Sequence, residues 1–207
     1  MLATRPDLSM AVNFFSRFLS CATNEQWNGL KRILRYIKGS LKRSLFFPKN
    51  VSKYSIEGYA DADFGGDSDF KSTSGYLLQL NKCTVLWATR KQDTVALSTC
   101  ESEYVSLATT ACDLFWLENL LADFQIDLST SVLYEDNQSC IESLKRADYK
   151  RLKHINVKLY FLKDLFEKEN FLIQYIQSRD QLADILTKRL LCEAFIRCIR
   201  GIGLRDL

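Results

Sequence analysis

A predicted helix in this chain carries an acidic residue on its apolar face. The apolar residues recur at helical spacing at Leu107, Ala111, Leu114 and Leu121. Glu103 stands four residues before the first of them, on the same stripe. An ionised carboxylate is very costly to bury alone, so an acid at a core position is usually paired, neutralised or bound to a metal. The sequence therefore predicts a helix that delivers one acid into a functional site.

Three strand-like segments come before this helix. Ser55 to Ala62 reads as a strand that ends at an acidic turn, with Asp61 at its end beside the core. Gly75 to Asn81 and Thr84 to Thr89 are rich in Leu, Val, Tyr and Trp and are separated by the few residues typical of a hairpin. The pattern predicts three consecutive antiparallel strands.

A strand, helix, strand unit follows. Ser98 and Glu101 form a capping-box pattern for a helix that runs from Thr99 to Phe124, and Ser131 to Asp136 reads as the next strand. Such a crossover makes the new strand parallel to an earlier one, and functional groups collect at the carboxyl ends of parallel strands. We therefore expect Asp136 to meet Asp61.

The remaining segments read mainly as helices. Helical patterns cover 6–20 and 24–38 before the strands, then 137–145 and 152–169, and 191–202 at the end; a strand is predicted from Phe171 to Ile176. The predicted core stripe of the second helix is Trp27, Leu30, Leu34 and Ile37, and Arg43 to Val51 reads as a connection. A further helix begins near Asp180, and its Asp184 leaves the apolar stripe on the side of Lys188.

Composition limits the classes of protein. The chain has 207 residues, 47% of them hydrophobic, which is enough for one domain and an appendage. Its seven cysteines show no C-x-x-C pair and only one histidine accompanies them, which argues against zinc and against a disulfide framework. No apolar run is long enough to cross a membrane and no signal peptide is recognisable, so we expect an intracellular protein, cytoplasmic or nuclear.

Charge is unevenly distributed. Residues 1–50 hold nine Lys/Arg against two acids, whereas the remainder of the chain is net acidic. A basic N-terminal piece on an acidic body suggests that one part grips a polyanion while the other handles it through a metal. A solvated helix face explains the same charges equally well.

Four acids stand at strand ends or on helices that border them, namely Asp61, Glu103, Asp136 and Asp184. Brought together, they would repel one another unless a hard cation with oxygen ligands lay between them, and Mg²⁺ is the natural candidate. Two such ions about 4 Å apart can drive an in-line attack on phosphorus. Taken singly, Asp61 could be a turn former, Asp136 a helix cap and Asp184 an exposed helix acid.

Six motifs occur in order along the chain, namely Gly58-Tyr59-Ala60-Asp61-Ala62-Asp63-Phe64-Gly65-Gly66-Asp67, Lys71-Ser72-Thr73-Ser74-Gly75-Tyr76, Ser98-Thr99-Cys100-Glu101-Ser102-Glu103-Tyr104, Tyr134-Glu135-Asp136-Asn137-Gln138, Lys153-His154-Ile155 and Gln181-Leu182-Ala183-Asp184-Ile185-Leu186-Thr187-Lys188. In these motifs the chain resembles the ribonuclease H domain of copia-type retrotransposon polyproteins. Residues 4–47 resemble the end of the reverse transcriptase that precedes this domain.

The resemblance implies an α/β fold of the ribonuclease H type, a mixed five-stranded sheet with flanking helices, that cuts the RNA strand of an RNA/DNA hybrid with two Mg²⁺, Mn²⁺ being the alternative ion. It implies three parts: 1–47 as the incomplete end of a reverse transcriptase, 54–190 as the ribonuclease H-like domain and 191–207 as a helical tail. The remainder of a reverse transcriptase is a further expected partner, and no membrane is.

The resemblance also assigns residues. Asp61, Glu103, Asp136 and Asp184 match the metal-binding catalytic acids of the family; Glu101 and Asp63 are competitors that rank lower. The expected backbone-phosphate contacts are Lys71, Ser72, Thr73, Arg90, Lys91 and Gln92.

Two departures leave alternatives open. Cellular relatives carry a histidine in the loop before the last helix, but Ile176-Gln177-Ser178-Arg179 has none, and His154 at a predicted helix start is expected to be structural. No Asp-Asp polymerase motif follows the transcriptase-like start, so we expect no DNA synthesis from this chain. A catalytically silent remnant that keeps the fold is the main alternative. An integrase-like strand transferase is disfavoured because Glu103 is second in the order of the acids.

Overall fold

A five-stranded mixed sheet forms the centre of the molecule. The computed structural model describes residues 3–49, 53–66, 69–146, 162, 164, 165 and 171–206. The sheet strands are β2 (Ile56–Asp63), β3 (Thr73–Leu80), β4 (Cys83–Lys91), β5 (Ser131–Glu135) and β6 (Phe171–Tyr175), in the order β4-β3-β2-β5-β6. β2, β3 and β4 are antiparallel, and β5 pairs parallel with both β2 and β6. The predicted mixed five-stranded sheet is confirmed.

The β3–β4 hairpin turns on two residues. Asn81 and Lys82 both have positive φ, at 50° and 65°. A two-residue turn with positive φ at both positions matches the right-handed twist of the flanking strands, and asparagine tolerates this conformation better than most residues. The predicted hairpin is therefore confirmed, and the positive φ angles of its two turn residues explain why the turn is so short.

Helix α3 (Thr99–Asp123) covers one face of the sheet. The Ser98 hydroxyl caps it by accepting a hydrogen bond from the backbone N–H of Glu101 at 3.2 Å. All four residues of the predicted apolar stripe are buried, and so is Glu103. They pack on a core with Ile56, Ala60, Leu78 and Leu133, to which α4 (Gln138–Arg146) adds Cys140 and Leu144. The helical period of the sequence thus identified this face correctly.

The opposite face is covered by two short helices, α5 (Asp184–Thr187) and α6 (Cys192–Gly201). Leu186, Ile199 and Ile202 pack with Tyr59 and Leu77 of the sheet in a second apolar cluster. The Oγ1 of Thr89 donates to the carbonyl of Leu186 at 2.9 Å. Together these contacts hold α5 beside the end of β2 and the start of β3.

The N-terminal helices are α1 (Ser9–Ser16) and α2 (Asn24–Lys38). α1 lies on the main body, where Asn13 Nδ2 donates to the carbonyl of Thr89 at 3.1 Å. The predicted core stripe of α2 is wrong: Trp27 and Leu34 are 57% and 64% exposed. α2 instead contacts the rest of the chain through a neighbouring stripe, with Gly29 against Phe15 and Tyr36 against Phe195.

Two three-residue strands pair the segment after α2 with the C-terminal segment. β1 (Arg43–Leu45) pairs antiparallel with β7 (Leu204–Asp206). Arg43 also holds the carboxylate of Asp206 with two hydrogen bonds of 3.0 Å. The predicted connection from Arg43 to Val51 therefore begins with a strand. The sequence does not show this strand because three residues are too few for an alternating pattern, and β1 and β7 stabilise each other.

Some predictions fall outside the described residues. The predicted helix 152–169 is described only at Leu162, Asp164 and Leu165, of which Leu162 and Leu165 are buried, and His154 is not described. The division into 1–47, 54–190 and 191–207 stays a prediction. Over the described ranges, no helix combines the length and apolar character needed to span a bilayer.

Replacement of Gly75 tests how tightly α5 is seated. A Cβ at this position would lie 2.5 Å from Thr187 Cγ2 and 2.8 Å from Leu186 Cβ. We expect Gly75→Ala to lower the free energy of unfolding by about 1–3 kcal/mol, since the helix must shift to relieve the overlap. Urea unfolding would measure the change.

Gly39→Ala is the matched control. A Cβ at Gly39 would meet its nearest atom, the carbonyl oxygen of Arg35, at an ordinary 3.5 Å, and the residue has a helical φ of −79°. It should leave stability unchanged or raise it slightly. If both variants unfold at the same urea concentration as the wild type, α5 is not held against β3 as described.

Candidate metal centre

Three acidic side chains converge at one end of the sheet. Asp61, Glu103 and Asp136 each present a carboxylate oxygen, and these three atoms lie within 4.8 Å of one another. Asp61 is 0% and Glu103 7% exposed, while Asp136 is half-buried. The structure thus brings together three of the four predicted acids.

Strand register places two of these acids side by side. β2 and β5 are parallel neighbours, and Tyr59 is paired with Tyr134. Asp61 follows its tyrosine by two residues within β2, and Asp136 follows its tyrosine by two residues, one residue beyond the end of β5. Neighbouring strands lie about 4.8 Å apart. The parallel pairing therefore brings these two acids to the same edge of the sheet.

Helix α3 adds the third acid from above the sheet. Ser106, one turn after Glu103, donates from Oγ to the carbonyl of Asp61 at 2.9 Å and approaches the carbonyl of Gly75 at 3.3 Å. This contact ties the first turns of α3 to the end of β2. Glu103 is consequently held over the same strand end as Asp61.

Asp184 reaches the cluster through a lysine. Lys188 Nζ lies 2.8 Å from Asp61 Oδ1 and 3.0 Å from Asp184 Oδ1, and so bridges the two acids. The second oxygen of Asp61 accepts a hydrogen bond from the Thr187 hydroxyl. Asp184 thus borders the cluster of Asp61, Glu103 and Asp136 instead of lying within it, and its predicted role as a metal ligand stays a prediction.

Crowding of negative charge perturbs these groups. Burial, followed by the charges of Asp61, Glu135 and Asp136, raises the pKa of Glu103 to about 11. Burial and the charge of Asp61 raise the pKa of Asp184 to about 6, although Lys188 opposes the shift. The pKa of Lys188 is lowered by burial but raised more by Asp61 and Asp184, so the ammonium stays charged. At neutral pH, Glu103 therefore carries a proton when no cation faces it.

Glu135 is a buried acid that the sequence reasoning did not select. Its side chain is 0% exposed; Oε1 accepts the backbone N–H of Asn137 at 3.0 Å. Burial first, and then the charges of Asp136 and Asp61, raise its pKa well above the ordinary range despite that hydrogen bond. Its signal in the sequence was the alternation Ser131, Leu133, Glu135, which is the fully buried side of β5.

The two competing acids lie outside the cluster. Glu101 Oε2 accepts the backbone N–H of Leu97 at 2.8 Å, so its carboxylate serves the start of α3. Only one half of the predicted capping box is present, because this carboxylate bonds Leu97 and not Ser98. Asp63 ends β2 and lines a neighbouring cleft.

The predicted phosphate contacts occupy two kinds of position. Arg90 is exposed and Lys91 pairs with Asp69 at 2.8 Å. Ser72, by contrast, is fully buried and accepts the backbone N–H of Gly65, and the buried Gln92 donates to Ser74 Oγ and to the carbonyl of Ser102. Both of these side chains are engaged inside the protein, and their contact with phosphate stays a prediction.

The other two predicted contacts lie near the start of β3. Lys71 is half-buried, and its backbone N–H donates to Asp69 Oδ1 at 3.2 Å. Thr73 is 7% exposed, and its Oγ1 lies 3.3 Å from the guanidinium of Arg17. Thr73 therefore borders a surface to which the N-terminal segment contributes.

A cleft of about 420 Å³ is lined by Thr187 and Lys188, the two residues that bond the carboxylate of Asp61. Its lining includes Arg17 of the loop after α1, Asp63, Thr73, Lys188 and Arg189. The guanidinium of Arg189 lies over the ring of Phe14, 4.8 Å from its centroid. The N-terminal segment therefore contributes a cation to the same cleft as Lys188.

The donor set suits a hard divalent cation. All three converging groups are carboxylates, and among the described residues Oε2 of Glu103 is a buried oxygen with no hydrogen-bond partner. Oxygen ligands in such a group are what Mg²⁺ and Mn²⁺ bind, while a zinc site would use nitrogen or sulfur. The residues present therefore fit the predicted metal.

The sheet order, with acids at the ends of its parallel strands, defines a ribonuclease H-like domain. No family model matches the chain. The retrovirus-related Pol polyprotein of transposon RE2 from Arabidopsis thaliana is 37% identical over 203 residues, which cover 97% of this chain and 14% of that protein. The Pol polyprotein of transposon TNT 1-94 from Nicotiana tabacum is 35% identical over 208 residues, 100% of this chain and 16% of that protein. This chain belongs to the copia-type retrovirus-related Pol polyproteins.

The solved structures that match this chain are more distant in sequence. RNase H1 from Halobacterium salinarum is 17% identical with a TM-score of 0.44, and the match covers 64% of this chain and 94% of that one. LC11-RNase H1, solved in complex with an RNA/DNA hybrid, is 15% identical with a TM-score of 0.48, covering 65% and 94%. The chain spans about one seventh of the polyproteins that it matches.

The proton on Glu103 predicts a pH dependence for the metal-free protein. With a folded pKa near 11 and an ordinary value of 4.5, the folded state binds more protons than the unfolded state between these limits. Stability should therefore fall as pH rises from 5 to 8, by at most about 1.4 kcal/mol per pH unit for this group. Glu103→Gln should remove that slope and become increasingly more stable than the wild type as pH rises.

Urea unfolding in EDTA across this pH range measures the difference. The control is Glu193→Gln, an exposed acid at the start of α6. This variant should track the wild type at every pH. A constant difference between Glu103→Gln and the wild type would show that Glu103 is ionised in the folded protein.

Proposed function

We propose that this chain is a metal-dependent endonuclease that cuts the RNA strand of an RNA/DNA hybrid. The observation that carries the proposal is the convergence of Asp61, Glu103 and Asp136 within 4.8 Å at the ends of β2 and β5. Membership of the Pol polyprotein family and the ribonuclease H-like fold support a nuclease of this class. The identity of the nucleic acid follows from the family resemblance and is part of the proposal.

Each acid has a role in this proposal. Asp61, Glu103 and Asp136 hold Mg²⁺ or Mn²⁺, with Asp184 as the fourth acid at the border of the site. The bound metal supplies an activated water and stabilises charge on the leaving oxygen. Glu103 must release its proton before it can serve as a ligand, which couples metal binding to pH. Asp136, the half-buried member, is the ligand most accessible from solvent.

The cleft beside the acids is the proposed path for the substrate backbone. Arg17, Lys188 and Arg189 place three cations along it, and the Thr73 hydroxyl lies among them. Cations and hydroxyls of this kind commonly bind phosphate oxygens and fix the register of a nucleic acid without reading its sequence. The cleft therefore supports a substrate that is recognised through its backbone.

Asp136→Asn tests the assignment of the site. The amide keeps the shape of the side chain but removes its charge, so we expect an intact fold and a fall in hybrid cleavage of roughly 100-fold or more, the order seen when one charge-stabilising group is lost. The assay is cleavage of an end-labelled RNA/DNA hybrid with Mg²⁺, run beside single-stranded RNA and duplex DNA. Circular dichroism verifies the fold.

Asp127→Asn is the matched control, since Asp127 is an exposed acid away from the cluster. It should cut like the wild type. Wild-type turnover by Asp136→Asn would remove this residue from the site. A wild-type protein that folds and binds Mg²⁺ but leaves the hybrid uncut would favour the silent remnant.

A further inference from the structure

The short segment after Asp184 brings a cation into the acidic cluster. Lys188 Nζ lies 2.8 Å from Asp61 Oδ1 and 3.0 Å from Asp184 Oδ1. Asp61 is fully buried, whereas the Lys188 side chain is 38% exposed and reaches the cluster from the solvent side. One ammonium group is thus shared between a carboxylate of the metal centre and the bordering acid.

Local backbone geometry fixes this position. α5 is a single turn, and the backbone N–H of Lys188 closes it by donating to the carbonyl of Asp184 at 2.9 Å. Asp184 and Lys188 are four residues apart, the spacing that brings side chains together on a helix. Leu186, which lies between these two residues in the chain, packs against the sheet at Gly75 and so holds α5 in place beside Asp61.

Asp61 is common to two cation positions. It belongs to the cluster with Glu103 and Asp136, and it also accepts the ammonium of Lys188. A divalent ion bound to Asp61 and the ammonium would repel each other across a few ångströms of protein, an interaction much stronger there than in water. Metal binding and the Lys188 contact should therefore oppose one another.

We infer that Lys188 is an internal counter-cation of this centre: it holds Asp61 and Asp184 together without metal, and it limits how tightly the centre binds a divalent ion. The inference rests on the proposed function in one respect, namely that Asp61, Glu103 and Asp136 bind a metal. Lys188 acts through Asp61 and is a positioning residue, and it adds to the four acids a group that tunes the affinity of the metal.

Lys188→Met tests this role because it keeps most of the side-chain length and removes the charge. Without metal, the variant leaves Asp61 buried and short of its counter-charge, so its melting temperature in EDTA should fall by about 5 °C or more. With the competing cation gone, Mg²⁺ and Mn²⁺ should bind on the order of ten-fold more tightly. The Mg²⁺-induced rise in melting temperature should then exceed that of the wild type.

Thermal melts in EDTA and in saturating Mg²⁺, together with calorimetric titration of Mg²⁺ and Mn²⁺, give both readouts without an activity assay. Lys188→Arg retains a positive charge and should bind metal like the wild type. Lys82→Met is the surface control, since Lys82 pairs with Glu57 away from the centre. It should alter neither quantity.

The results of these measurements test the inference and the proposed function separately. A Lys188→Met protein that folds only with metal supports the inference; if it folds in neither condition, Lys188→Gln, which keeps a hydrogen-bond donor without the charge, takes its place. Metal affinity equal to or weaker than that of the wild type in the uncharged variants overturns the inference alone. A wild-type protein that binds no divalent ion contradicts the proposed function instead.

Discussion

Repulsion between buried carboxylates is the constraint around which this protein is arranged. Parallel pairing of β2 and β5 sets Asp61 beside Asp136, and α3 adds Glu103 above them. Ionised groups at this separation in a protein interior destabilise one another unless a proton, a cation or a hydrogen bond intervenes. The Lys188 ammonium and the Thr187 hydroxyl each bond one oxygen of Asp61, and burial with neighbouring charge raises the pKa of Glu103, which favours its protonated form. A divalent ion bound at this centre would displace or contact these same groups, namely the Glu103 carboxyl, the Lys188 ammonium and the Thr187 hydroxyl.

The two ends of the chain support this centre from one side. α5 and α6 press on the sheet opposite α3, and β7 ties the C-terminal segment to β1. Arg17, which directly follows α1, lines the cleft that Lys188 also lines. The bidentate pair of Arg43 with Asp206 shows that some of the N-terminal positive charge serves the fold. The net charge of residues 1–50 therefore overstates what is available to a nucleic acid.

Long periodic elements could be read from the sequence, and short ones could not. The hairpin and α3 were predicted because alternation and the helical stripe of Leu107 to Leu121 extend over many residues. β1 and β7 are three residues each and form only with a partner more than 150 residues away, so no local pattern marks them. In α2 the strongest apolar stripe was mistaken for the buried one, because amphipathicity shows that a helix has an apolar face but not which surface covers it.

Asp61 and Asp136 were predicted from their positions at strand ends, and the parallel pairing of β2 with β5 explains why that worked. Glu103 was predicted from its place on the apolar stripe of α3. Glu135 was not predicted because acids were sought at the end of the strand. It lies one residue before Asp136, on the buried side of β5. The roles of Thr187 and Lys188 depend on contacts with Asp61, which is 126 or more residues away in the chain and cannot be inferred from spacing.

The proton that Glu103 holds without metal is the most direct test of this account. Calorimetric titration of the wild-type protein with Mg²⁺ at pH 7, in two buffers of different ionisation enthalpy, counts the protons released on binding. Because the pKa of Glu103 is raised to about 11 by burial and neighbouring charge, and a metal ligand must be ionised, close to one proton should leave per protein. Metal binding with no release of protons would show that Glu103 is either ionised beforehand or not a ligand, and would contradict the proposed centre.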